Sequence, residues 1–573
     1  MAEQTPLTLT VVSDIHYYSK KTGTSGKAYE AANAKSQKLL AECPEVLEAA
    51  FRQIAKDDRS DIVLVSGDTT NNGEVESHRE CIALLNTLKE AGKRVYVITA
   101  THDYQDSGET DGYVGDEKVK APALHREELW ELYRPFGPDE AIAVHRESMS
   151  YIVQLAEGYR LFALNDDSNG AGKSGFSEEC FAWIAEQARK AREEGQFIIA
   201  MTHHPMLSPS PFYSIIGAGD MMGGHEKRVQ QCADLGIQFM LTGHSHIQDV
   251  SYAISEAGNI FYDLSTPALC GYPGTIRMLT LDPAVGEVRL SSDFITEPVA
   301  LNFGGRTLQE HFETQFIGMI RDVILAAGSD INRFADMATA FSVKKKLSYR
   351  IGWLIKGPAK FLANLKIGTV GNWTRAETGL SKADYASIKE EKALDFIISL
   401  VLGLYGGDAP YTPDTPYYKI TCGMLNIIDS ILRALHINLG KLVKGANSVR
   451  SLVEPLLYNA GVCDEKAVLP IYPVADAGDP EAVALREAAK KGAPASAAGA
   501  ISGYNTAEPQ RGSSRAACRA LPCAFTSIFD RLAAGWLFSQ SASVCQESEG
   551  ITALTRKALW AHGNSSIFRN ASE

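Results

Sequence analysis

Five short apolar runs in the first half of the chain each end on residues able to hold a metal ion. This restricts the chain to folds that gather several strand tips in one place. The runs are 7–13 (LTLTVVS), 61–66 (DIVLVS), 94–100 (RVYVITA), 197–202 (FIIAMT) and 236–242 (GIQFMLT). Each passes directly into a cluster: SDIH with Asp14 and His16, SGD with Asp68, THD with Thr101, His102 and Asp103, THHP with His203 and His204, and GHSH with His244 and His246. Short continuous apolar runs of this kind predict buried strands. Open α/β sheets bind ligands beyond the carboxyl ends of their strands, so the five tips are expected to converge. Of the 13 histidines in the chain, six sit at these tips, which chance placement does not explain.

Helical patterns lie between the runs, as an α/β layer fold requires. One starts near Pro44 and carries Leu47, Ala50, Phe51 and Ile54 on one face. Another is expected to start near Ser77, which has capping-box spacing to Glu80, and to end by Gly92. Further strands are expected around 159–164, 259–264 and 276–281. From about 308 the pattern turns helical, with Phe312, Phe316, Ile320, Val323 and Ile324 at helical spacing and further helices over 384–405 and 418–440. The run FIISLVLGLY is too short for a bilayer and reads as a core helix. The expected domains are 1–303, 304–472, and a low-complexity linker with an unassigned tail over 473–573.

The chain has 573 residues, enough for more than one core, and a formal charge of -13, which disfavours a general nucleic-acid binder. Its ten cysteines lack zinc-site or disulfide spacing, and its start lacks the pattern of a secretory signal, so a cytoplasmic location is expected. The segment 340–366 combines Lys344, Lys345, Lys346, Arg350, Lys356 and Lys360 with Trp353, Leu354 and Phe361. That mixture is compatible with an anionic membrane surface, but a solvated basic face is the reading adopted. Lys27 in GTSGK lacks full P-loop spacing, and nucleotide binding of that type is rejected.

Imidazole and carboxylate together suit manganese, iron or zinc. In extended D-x-H and H-x-H pairs alternate side chains point the same way, so both members can reach one metal or two adjacent ones. Two neighbouring cations sharing a carboxylate can generate a bridging hydroxide for in-line attack on phosphorus.

The ordered set D-x-H, G-D, H-D, H, G-H-x-H over residues 7 to 250 resembles the calcineurin-like metallophosphoesterase superfamily. SGDTTNNGE and GHSH look most like its bacterial branch of cyclic-nucleotide and glycerophosphodiester phosphodiesterases. The resemblance implies an α/β fold, a two-sheet α/β/β/α sandwich, here followed by a mostly helical C-terminal domain. It implies Asp14, His16 and His246 on a first metal, Asp68 bridging, and His203 and His244 on a second. The metals implied are manganese, iron or zinc, with magnesium admissible. His102, oriented by Asp103, is implied to stabilise the transition state or protonate the leaving oxygen.

One position departs from the family pattern, which has Gly-Asn where this chain has Ala100 and Thr101. A threonine hydroxyl is shorter than the asparagine amide, so Thr101 is expected to serve the second metal weakly or through water. The function expected is a phosphodiesterase acting on a small soluble phosphoester, with no nucleic-acid partner. A non-catalytic metal-binding scaffold and a membrane-surface phospholipid-headgroup hydrolase are the alternatives. The loop 17–43 and the segment 104–150, with Tyr17, Tyr18, Tyr104, Tyr113 and Tyr133, are expected to build the pocket walls. His204, Asn71, Asn72, Asn165 and Asp166 are open between a role in the site and a role in packing or loop shape.

Overall fold

The computed structural model describes residues 5–474, without 168–173, 211–212, 214–218, 342–344, 370, 372–379, 408–409, 435–447 and 459–462. The chain divides into two compact units, 1–505 and 506–573, and the second lies wholly outside the described residues, as do the expected linker from 476 and the tail.

Two sheets carry the fold. The first has the order β15-β14-β13-β1-β2-β3, with β1 (Leu7–Val12), β2 (Ile62–Ser66) and β3 (Arg94–Ile98) parallel and β13 (Thr275–Asp282), β14 (Glu287–Phe294) and β15 (Lys466–Pro470) added antiparallel. A hairpin of β4 (Glu109–Val114) and β5 (Glu117–Pro122) stands apart. The second sheet has the order β11-β12-β10-β9-β8-β7-β6. In it β8 (Tyr159–Ala163), β9 (Phe197–Met201), β10 (Phe239–Thr242) and β12 (Ile260–Ser265) run parallel. Its antiparallel members are β6 (Ala143–His145), β7 (Ser150–Ala156) and β11 (Asp249–Ile254).

The parallel strands are mostly apolar because both of their faces are covered. Leu9, Val11, Leu64 and Ile98 of one sheet meet Leu161, Ile199, Phe239 and Leu241 of the other in a core between the sheets. Alternate residues of β1–β3, among them Val12, Val63, Val65 and Val97, turn outward. There they pack on α2 (Cys43–Lys56), α3 (Val75–Glu90) and α4 (Arg126–Tyr133), which follow a short α1 (Lys27–Asn33). On the far side Phe162, Ile198, Ala200 and Met240 pack on α5 (Glu178–Glu193) and α6 (His225–Leu235). The result is the expected α/β/β/α sandwich, which sets all five metal-type tips at one end.

Helices α7 (Leu308–Ser329), α8 (Ile331–Met337), α9 (Lys345–Leu362), α10 (Lys382–Ile388), α11 (Ala393–Gly406), α12 (Pro416–Ala434) and α13 (Val449–Leu457) follow. The chain then returns to the sandwich through β15. Buried Arg277 ties this return down by donating to the carbonyls of Asp464 (2.9 Å) and Asp249 (3.3 Å). Among the described residues no helix is long and apolar enough to cross a membrane.

Three expectations change. Ser77 does not cap α3; Glu74 stands at the N-cap, and the Ser77 hydroxyl inside the helix accepts from the Ser19 amide at 3.0 Å. The single helix expected over 384–405 is two, α10 and α11, because Lys366 and Lys392 pair across a short bridge at their junction. The walls are not made by the tyrosines: Tyr17, Tyr18 and Tyr133 are buried in packed clusters behind the site. The basic segment 340–366 contains the whole of α9; Lys344 lies outside the described residues.

Candidate metal centre and active site

Beyond β1 the chain keeps pairing with the tip of β2, with Asp14 N donating to Gly67 O (3.1 Å) and His16 N to Asp68 O (2.9 Å). Asp14, His16, Asp68, His244 and His246 all have left-handed backbones, with φ of 47, 47, 49, 63 and 58°. Among the described residues Met149 is the only other non-glycine residue with positive φ. Strained conformations of this kind persist only where the surroundings over-determine them, and they cluster at functional sites. The D-x-H and H-x-H pairs are therefore not extended as expected. Left-handed turns, not strand alternation, aim these side chains.

The glycines of SGD and GHSH make the close approach feasible. A Cβ on Gly67 (φ 101°) would stand 2.4 Å from His203 Nδ1, and one on Gly243 would stand 2.0 Å from Ser13 Oγ and 2.4 Å from Asp14 Oδ2.

Six of the expected ligands meet in two clusters, Asp14, His16 and His246 in one and Asp68, His203 and His244 in the other, each with its ligand atoms within 4.8 Å of one another. Asp14 Oδ1 lies 3.4 Å from His16 Nε2 and 3.3 Å from His246 Nε2. Asp68 Oδ2 lies 3.1 Å from His203 Nε2 and 3.8 Å from His16 Nε2, so this carboxylate faces both clusters. Asp14 Oδ1 and His203 Nε2 are buried, and their contacts within the clusters lack hydrogen-bond geometry. Two orphaned buried donor atoms, one in each cluster, fit a pair of cations of the imidazole-carboxylate class.

A second layer of contacts fixes these ligands. His16 Nδ1 meets Thr70 O (3.3 Å) and His203 Nδ1 meets Ser66 O (2.9 Å), which turns both Nε2 atoms toward the clusters. Asp14 Oδ2 accepts from Ser13 Oγ (2.7 Å) and His244 N (2.9 Å), and Asp68 Oδ1 from His102 N (3.0 Å). Burial holds His16 and His244 well below the usual histidine range, so their imidazoles are neutral, the form that binds metal. Burial works against the charge of Asp14, yet contacts from His16 and His246 keep its carboxyl well below the usual range.

His102 Nδ1 donates to Asn71 O (2.6 Å) and lies 3.1 Å from Asn72 Oδ1. Burial, and then the Lys38 ammonium, pull it down to about 4. The expectation that Asp103 orients His102 is corrected here. The Asp103 carboxylate accepts from Thr69 Oγ1 (2.6 Å), Thr70 N (2.8 Å) and Ala100 N (2.8 Å), and so locks the two tip loops together. Thr101 opens the short turn Thr101–Asp103 that carries His102.

His204 is buried, 3.2 Å from Asp166 Oδ2, with its ring centroid 4.3 Å from that of His244. Asp166 Oδ1 also accepts from His203 N (3.1 Å), so Asp166 braces both histidines, while Asn165 Nδ2 donates to Thr99 O (2.8 Å). Asn71 and Asn72 thus position His102, a role that their place three and four residues after Asp68 could have suggested.

A cavity of about 570 Å³ opens over the clusters, with Asp68, His102, His244 and His246 at its floor. Lys35 to Lys38 form one side, and α7 and α11 supply the opposite wall. The loop 17–43 thus supplies part of the walls, as expected, but sequence reasoning did not single out Lys38 within it. Burial pulls its ammonium below the usual lysine range, against the attraction of Asp68 and Asp14.

Residues 7–248 match the family model described as calcineurin-like phosphoesterase. No curated protein matches the chain. Among solved structures the chain is similar to a dimetal phosphatase from Danio rerio, at 12% identity over 51% of this chain and 97% of that one, with a TM-score of 0.36. A purple acid phosphatase from yellow lupin (Lupinus luteus) seeds shows 12% identity over 52% and 53%, with a TM-score of 0.32. A Haemophilus influenzae NAD nucleotidase shows 12% identity over 64% and 62%, with a TM-score of 0.28. Taken with the clusters at the strand tips, the match over residues 7–248 means that this chain carries a domain of the calcineurin-like phosphoesterase family.

Proposed function

We propose that this metal-dependent phosphoester hydrolase is a phosphodiesterase acting on a small substrate. Asp14, His16 and His246 hold one ion, His203 and His244 the other, and Asp68 serves both. The observation that carries the reading is the position of Asp68 Oδ2, 3.1 Å from His203 Nε2 and 3.8 Å from His16 Nε2, between two ligand clusters. Cations bound there supply an activated water nucleophile and neutralise charge on the phosphoryl group. Manganese, iron or zinc suits the ligand set.

In this reading His102 acts from the cavity floor through Nε2, because Nδ1 is committed to Asn71 O. It is neutral in the free protein, and the negative charge of an arriving phosphoester raises its proton affinity. A proton taken up there is donated to the leaving oxygen or to a phosphoryl oxygen. Asp103 supports His102 only through the loop. Thr101 serves the second ion weakly. Residues 304–472, apart from β15, which joins the first sheet, form a helical unit that covers the site, a reading supported by the packing of Phe316, Ile320 and Tyr405 around Ile247, next to His246. A cytoplasmic setting is supported by Cys43, Cys81, Cys180, Cys232, Cys270 and Cys422, buried thiols that form no disulfide.

The test is hydrolysis of bis(4-nitrophenyl) phosphate and 4-nitrophenyl phosphate by metal-stripped protein resupplied with manganese, beside Asp68→Ala. Diester turnover that needs manganese and disappears in the variant is expected. A monoester rate exceeding the diester rate would reassign the chain as a phosphatase. Absence of turnover despite metal uptake would favour the scaffold reading, for which Thr101 is the motivating feature.

A further inference from the structure

The cavity over the clusters has two chemically opposed faces. Its floor is ionic, with Asp68, His102, His244 and His246, and Lys38 beside them. Its far wall is a stripe of α7, Ile320, Val323 and Ile324, facing a stripe of α11, Ile397, Val401 and Leu404. Spacings of three and four residues put each set on one face of its helix. Neither helix contributes a charged side chain to the lining.

This wall is anchored and belongs to the site. Gln248, two residues after His246, donates from its amide to Tyr405 O (3.1 Å) and from Nε2 to Gly406 O (2.8 Å). The Phe316 ring of α7 stacks on Tyr272 at 5.2 Å and meets Tyr405 of α11 at 4.8 Å. The apolar stripes are therefore held over the same strand tip that carries His244 and His246.

Resting on the phosphoesterase reading, we infer that the substrate is an amphiphilic phosphodiester: its phosphate sits between the two clusters and Lys38, and an aliphatic chain on the ester lies along α7 and α11. Water adds to phosphorus, one ester P–O bond breaks and a proton passes to the leaving oxygen, giving an alcohol and a phosphomonoester. A nucleoside in the same place would leave its base and sugar against side chains that return few hydrogen bonds, which is costly once water is excluded. An aliphatic chain incurs no such cost and gains from burial. The cavity volume falls within the roughly 300–1,000 Å³ typical of small-molecule sites, so the gain ends once that space is filled.

The experiment is a series of methyl, butyl, hexyl and octyl 4-nitrophenyl phosphates, kept monomeric and assayed with the full manganese-loaded chain. The matching alkylphosphonates are titrated by calorimetry. Both kcat/KM and phosphonate affinity are expected to rise with each added methylene, by up to about fourfold, to a plateau. The slope is expected to flatten in Ile324→Asn and Val401→Asn, with folding checked by circular dichroism. Turnover of the methyl ester with no chain-length dependence would overturn the inference and leave the phosphoesterase reading standing. If no ester is cleaved, that reading fails; phosphonate affinity that still rises with length then supports the binding site, and flat affinity overturns it. Phosphatidylglycerol vesicles run alongside identify the source: cleavage there assigns a membrane lipid, and cleavage confined to monomers assigns a dispersed amphiphile, both within the class inferred.

Discussion

The Nε2 atoms of His16 and His246 face each other at 3.1 Å, and both lie within 3.4 Å of the same oxygen of Asp14. The Nδ1 proton of His16 is directed to Thr70 O, so its Nε2 presents a lone pair to the point where the three atoms meet. A cation at that point satisfies all three at once.

Metal-stripped protein is expected to bind two manganese ions per chain, with one lost in His246→Ala and the other in His244→Ala. The two sites are expected to differ in affinity, because Thr101 reaches less far than an asparagine. Thr101→Asn is expected to tighten the weaker site by roughly tenfold or more, in the range for groups that tune a metal site. Calorimetric titration of the three variants measures this, and two equal tight sites in the unaltered chain would refute it.

His102→Ala is expected to lower kcat by about 10²–10⁴, the range for loss of a proton-transfer group, while two metal ions are still bound. Asn72→Ala, which removes the side-chain oxygen 3.1 Å from His102 Nδ1, is expected to cost about tenfold, since Asn71 O still holds the ring. Steady-state kinetics with metal analysis separates these effects from loss of ions.

Gly243→Ala is expected to disable the first metal cluster. The new methyl group would stand 2.0 Å from Ser13 Oγ and 2.4 Å from Asp14 Oδ2, so Asp14 must move. Manganese stoichiometry should fall to one; retention of both ions at unchanged affinity would show that the tip can yield.

His78 sets a pH dependence of stability. It is buried, with Nδ1 2.8 Å from Tyr133 Oη and Nε2 2.9 Å from Asp103 O, and burial pulls it from the ordinary 6.5 to about 4. As pH falls below 6.5 the unfolded chain takes up this proton before the folded one, so stability drops between 6.5 and 4. From pH 7 to pH 5 this group alone is expected to lower stability by about 2 kcal/mol. Urea unfolding of metal-stripped protein at both pH values, beside His78→Gln, tests it. An equal pH effect in the variant would exclude His78 as the source.

The amino-acid sequence by itself determined where the buried strands lie along the chain and which potential ligands follow them. Apolar runs must be covered on both faces, and Asp14, His16, Asp68, His203, His244 and His246 follow those runs directly, so local pattern was enough. It also marked Gly67 and Gly243 through the SGD and GHSH motifs, though not the reason for them. That reason is tertiary: each glycine is approached by a side chain from another tip, His203 in one case and Asp14 in the other. The same holds for His102, whose ring partner comes from Asn71 on a different loop and not from the adjacent Asp103. The cavity wall was decided by tertiary structure alone. Val323, Ile324, Val401 and Leu404 look in sequence like any core-facing helical stripe, and only the docking of α7 and α11 over His246 turns them toward the metal centre. Periodicity says which residues avoid water; it does not say what they are buried against.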